Sequence, residues 1–165
     1  MSRTLEAAIE TLSQLTCERV RSELASALVT DDEVEIREAL ASAKAVLPLE
    51  ELEEVLAQAN EKLETLQVLR ELAEASSKQA LRAALQRGEQ RRLMATGAFE
   101  VAKRKLLAIE RLREAEQAAE PSAIEAALRG AKRLKLDPDL ISSAEGILDR
   151  PLGRRALGLI GFARM

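Results

Sequence analysis

The sequence predicts an all-α fold: tandem antiparallel helical hairpins forming a short α-solenoid or an irregular multi-helix bundle. Three observations carry this expectation. The chain of 165 residues is dominated by Ala, Leu, Glu and Arg, all good helix formers. β-branched and aromatic residues, which favour strands, are scarce: there is no Trp, no Tyr, and only Phe99 and Phe162. Finally, apolar residues recur at helical spacing, and the pattern itself repeats along the chain.

The repeat is read from aligned segments. Ile36-Arg-Glu-Ala-Leu40, Leu81-Arg-Ala-Ala-Leu85 and Ile124-Glu-Ala-Ala-Leu128 are each followed, three residues on, by a small residue: Ala43, Gly88 and Ala131. Their offsets are 45 and 43 residues. A second set of matches lies between them: Glu23-Leu-Ala-Ser-Ala27 resembles Glu71-Leu-Ala-Glu-Ala75, and Leu69-Arg-Glu71 recurs as Leu112-Arg-Glu114. A unit of about 43 to 48 residues is too long for one helix and suits a pair.

The elements follow in order. A first helix over about residues 3–28 carries Leu5, Ile9, Leu12, Leu24 and Leu28, taken as one stripe, and matches the second helix of an incomplete first unit. Thr30-Asp-Asp-Glu33 fits a capping box that starts a second helix with Ile36, Leu40, Ala43 and Leu47 on one face. Pro48 ends it. A third helix over about residues 49–75 carries Leu52, Leu56, Ala59, Leu63 and Leu66, a stripe that either an internal partner or a coiled-coil dimer would satisfy. Ser76-Ser-Lys-Gln79 opens a fourth helix with Leu81, Leu85 and Gly88, which Thr96-Gly97 separates from a fifth over about 98–119. The fifth faces inward with Phe99, Ala102, Leu106 and Ile109. Pro121 begins a sixth with Ile124, Leu128, Ala131 and Leu134. Asp137-Pro138 begins a seventh with Leu140, Ala144 and Ile147, ended at Arg150-Pro151.

This two-helix unit resembles α-helical hairpin repeats in general, and more narrowly the Ala/Leu/Glu/Arg-rich helical repeats of algal and other protist proteins. The resemblance covers about residues 20–149. It implies a scaffold or linker role and carries over no catalytic residue. The Trp-Leu-Gly-Tyr spacing of tetratricopeptide repeats and the Thr-Pro-Leu-His of ankyrin repeats are absent.

The chemistry available to the chain is narrow. Histidine is missing, which removes the commonest general acid/base and metal ligand. Cys17 is the single cysteine, so no internal disulfide and no thiolate zinc site can form. No Gly-rich phosphate loop or nucleophile elbow is present. The expectation is a protein without enzymatic activity and without a cofactor or metal. The acidic run Glu50, Glu51, Glu53 and Glu54 is read as a solvated helix start favoured by the helix dipole. The first ten residues carry charges and do not fit a secretory signal, and the longest apolar run is far too short to span a bilayer. The expected setting is intracellular, in the cytoplasm or an organelle interior.

Charge is uneven. Residues 1–69 hold 6 basic and 15 acidic side chains, whereas residues 70–113 hold 11 basic and 5 acidic. A basic set, Arg87, Arg91, Arg92, Lys103, Arg104 and Lys105, flanks Thr96-Gly97 and is a candidate docking site for an acidic protein surface. Nucleic acid is disfavoured by the overall net charge of −3 and the absence of Tyr and Trp for stacking. Residues 1–150 are read as a single repeat domain and 151–165 as a tail. The tail holds Arg154 and Arg155 beside Leu157, Leu159, Ile160 and Phe162, with no acidic residue. It would either cap the last hairpin or insert into a partner; at a membrane surface it would bind only weakly. The function these features support is a protein–protein interaction scaffold. The alternative is a linker subunit built permanently into a large, soluble or membrane-associated assembly.

Overall fold

The computed structural model describes residues 2–46 and 49–150. All regular structure among them is helical: α1 (Ser2–Thr30), α2 (Glu33–Lys44), a 3-10 turn (Leu49–Leu52), α3 (Glu53–Glu74), α4 (Lys78–Gln90), α5 (Gly97–Ala118), α6 (Pro121–Arg133) and α7 (Pro138–Asp149). The all-α expectation holds. Leu47, Pro48 and the tail from 151 onward lie outside the described residues. The chain divides into two compact units, Met1–Val68 and Leu69–Met165.

In the first unit α1 packs on α2, and the 3-10 turn touches both. Val20, Leu24 and Ala27 of α1 meet Ile36, Leu40 and Ala43 of α2, joined by Leu52 and Ala59. Leu24, Ile36 and Leu52 are fully buried, each contributing about 1.5–3 kcal/mol of apolar burial. Cys17, nearly one turn before Val20, is buried as well and behaves as a small apolar side chain. The predicted face of α2 is therefore correct for Ile36, Leu40 and Ala43.

The single stripe expected on α1 is not. Leu24 is buried and Leu28 packs against the core, but Leu5, Ile9, Leu12 and Leu15 are 60%, 60%, 64% and 57% exposed. The reason is reach. α1 has 29 residues and α2 only 12, so burial on α1 begins at Cys17, and residues 2–12 are exposed on every side of the helix.

In the second unit each helix packs on the next: α4 on α5, α5 on α6, α6 on α7, with α5 also touching α7. The core is Leu72, Leu81, Leu85, Phe99, Ala102, Ile109, Leu112, Ile124, Leu128, Ala131 and Ala144. Gly88 is needed where it stands. A Cβ there would lie 2.9 Å from Phe99 Cδ2 and 3.3 Å from Leu72 Cδ1.

Helix ends use local side chains, with two shifts from the sequence reading. Asp32 rather than Thr30 caps α2, accepting from Val34 N–H at 2.8 Å, because Thr30 is still helical and donates its hydroxyl to Ala27 O. Ser77 rather than Ser76 caps α4. Thr96 and Asp137 cap α5 and α7. Pro121 and Pro138 stand in the first turns of α6 and α7, as predicted. α4 and α6 end alike: Arg92 and Lys135 take left-handed φ of 58° and 52°, while Leu93 N–H donates to Gly88 O and Leu136 N–H to Ala131 O. Both are Schellman ends with a basic residue in glycine's usual place.

Candidate functional site

The six basic residues around Thr96-Gly97 do not form one surface. Lys103, Arg104 and Lys105 are consecutive on α5, and successive helical residues point about 100° apart. Lys105 turns inward. It is 8% exposed, and its Nζ donates to Ala73 O at 2.9 Å and Ala75 O at 3.1 Å. Those carbonyls close the C-terminal end of α3, where a helix leaves acceptors unpaired and carries partial negative charge. Lys105 is thus withdrawn from the docking set; its ammonium is used inside the fold. Arg87 reaches the other way, its Nη1 donating to both carboxylate oxygens of Glu71 at 2.8 Å. Arg92 is exposed at the end of α4, and Arg91 is half-buried. Lys103 and Arg104 are exposed on α5. The tail residues Arg154, Arg155, Leu157, Leu159, Ile160 and Phe162 lie outside the described residues.

Arg104 instead belongs to a feature that the sequence reading missed. Between the outer faces of α5 and α6 runs an open groove of about 700 Å³. Its floor is made of small residues: Ala108, Ala115 and Ala118 from α5, Ala123, Ala126, Ala127 and Gly130 from α6. Leu107 and Leu134 supply the larger apolar surface, and Leu107 is 47% exposed. Arg104, Arg111 and Glu114 follow the α5 rim at i, i+7 and i+10, along one line of the helix. Among the described residues none of the three has an ion-pair partner. From Arg104 to Ala118 the groove is about 21 Å long at 1.5 Å per residue.

The signal for this groove was present but ambiguous. Inward positions of α5 and α6 are marked by Ile109, Leu112, Ile124 and Leu128, whereas Ala is equally at home inside, outside or between helices. Only the packing of α5 on α6 turns scattered alanines into a continuous trough.

Among the described residues, no group of three or more carboxylate or thiol side chains is placed to hold a metal ion. Nor is any described helix long and apolar enough to cross a membrane. Every buried side-chain nitrogen or oxygen among them has a hydrogen-bond partner. No family model, curated protein or solved structure matches this chain.

Proposed function

We propose that the protein is a non-enzymatic interaction scaffold that seats a partner helix in the groove between α5 and α6. The observation that carries this reading is the groove itself: a helix-length trough, floored by Ala and Gly, with Leu107 exposed beside unpaired arginines. Small floor residues let a partner helix approach closely and receive its larger side chains, the usual way an amphipathic helix is held. Arg104 and Arg111 on the rim favour acidic residues beside the partner's apolar stripe. The chain's own chemistry supports a binding role, since without histidine and with one buried thiol it has few means of nucleophilic or acid–base catalysis.

A repeated hairpin is a suitable frame for such a groove. Gly88 and Ala131 are buried at corresponding places, and the matching ends at Arg92 and Lys135 lie the same 43 residues apart. The test is a photo-reactive residue in place of Leu107 in the native cell. We expect it to capture a defined protein through a helical segment, and Gly130→Leu to abolish the capture. Equal capture by the Gly130→Leu chain would remove the groove from the account.

A further inference from the structure

The chain carries an earlier version of the α5–α6 groove, and that version is already filled. The offset of 43 residues that relates the hairpins also relates their clefts. Between the end of α3 and α4, Glu71, Ala75, Ala80, Ala83, Ala84 and Arg87 line a hollow of about 450 Å³. At the same offset, Glu114, Ala118, Ala123, Ala126, Ala127 and Gly130 line the larger groove between α5 and α6. The carboxylate and the alanine floor are the same in both; only the last place differs. In the first cleft Arg87 of α4 reaches across to α3, where its Nη1 donates to both oxygens of Glu71 at 2.8 Å. In the second, Gly130 stands where that arginine would be, and a Cβ there would meet nothing within 4 Å. Glu114 has no ion-pair partner among the described residues, although Arg111 stands one turn before it.

While the groove is empty, Glu114 is exposed and water satisfies its charge. A helix laid over the alanine floor takes that water away. An occupant without a cation then leaves a carboxylate desolvated and unpaired, whereas one with an arginine restores the arrangement of Glu71 and Arg87. We infer that the groove's occupant is a partner helix that supplies an arginine to Glu114, above Gly130. This rests on the reading of the groove as a helix seat and names the chemistry that selects the partner. The rim sets the rest of the pattern. Arg111 and Arg104 lie about 4.5 and 15 Å along α5 from Glu114, so acidic residues at those distances from the partner's arginine complete the match.

Fluorescence anisotropy with the full chain tests this. The probe is a labelled synthetic helix of about 15 residues, long enough for the trough of about 21 Å. It carries a Leu stripe, one Arg, and Glu about three and about ten residues from that Arg, and is made in both chain directions. Replacing the peptide's Arg by Gln should weaken binding to the wild-type protein at least about tenfold, and binding to Glu114→Gln by less than about twofold. Glu114→Arg should reject the Arg peptide and accept one with Glu in that place. Gly130→Arg gives the second cleft the first one's arginine and should abolish binding, while Gly130→Ala should keep it. Glu114 and Gly130 have open surroundings, so circular dichroism should show every variant folded.

Equal binding of the Arg and Gln peptides to the wild-type chain overturns the arginine seat. If Gly130→Leu still abolishes that binding, the scaffold reading survives. An Arg peptide that Glu114→Gln binds as tightly as the wild-type chain does also overturns the proposal. If the peptide binds only after Arg154 and Arg155 are both replaced by Gln, the chain's own tail takes the seat and the partner's arginine does not. If neither peptide binds in either direction, the proposal fails; the scaffold reading then stands only if Leu107 still captures a protein.

Discussion

Gly88 and Gly130 are both interior residues of 13-residue helices, yet they predict opposite responses to the same substitution. At Gly130 an added methyl meets nothing, so Gly130→Ala should stabilise the protein by about 0.5–1 kcal/mol through helix propensity alone. At Gly88 the methyl would lie 2.9 Å from the ring of the buried Phe99, so the ring would have to shift within the core. Overpacking of about 1–3 kcal/mol outweighs the propensity gain there, so Gly88→Ala should lower the urea midpoint and Gly88→Leu should lower it further. Equal shifts for the two glycines would show that Phe99 yields freely. Lys105 gives a second test. Lys105→Met keeps the stem but leaves the Ala73 and Ala75 carbonyls without their donor, and should cost about 1–3 kcal/mol in a denaturant titration. An unchanged midpoint would mean that solvent replaces the ammonium without loss. In the sequence Lys105 is indistinguishable from Lys103 and Arg104. Its role is set by a carbonyl pair some thirty residues away in the chain, which no local pattern records.

The helices themselves were largely legible, because their signals are local. Pro121, Pro138, Thr96 and Asp137 mark helix starts through backbone geometry or a hydroxyl or carboxylate within three residues. The faces of α2, α4 and α6 follow from Ile36-Leu40-Ala43, Leu81-Leu85-Gly88 and Ile124-Leu128-Ala131, where the apolar residues are large and the opposite faces charged. The helix ends were less legible, since Arg92 and Lys135 occupy left-handed positions that glycine would normally announce. Lys135→Gly should therefore raise thermal stability, by about 1 kcal/mol, as it relieves the side chain's steric cost at φ 52°. A lower melting temperature would show that the lysine side chain makes compensating contacts. α1 was misread for a different reason. Leu5, Ile9 and Leu12 have helical spacing, and so do Cys17, Val20 and Leu24, but burial begins only at Cys17, and residues 2–12 of the 29-residue α1 are exposed on every side. Periodicity gives the existence of a face and does not say how much of its length is covered.

The candidate site could not be read from the sequence because it belongs to no single element. It exists only where Ala115 and Ala118 of one helix meet Ala123, Ala126 and Gly130 of the next. Those same alanines offer a probe. In the full chain labelled with ¹³C in alanine methyls, adding a helical peptide with a Leu stripe flanked by Glu should shift Ala115, Ala118, Ala123, Ala126 and Ala127. The buried Ala43 and Ala102 should stay fixed, and Gly130→Leu should suppress the shifts. Groove methyls that hold their positions as the peptide is titrated, or shifts spread evenly over buried and exposed alanines, would contradict the account.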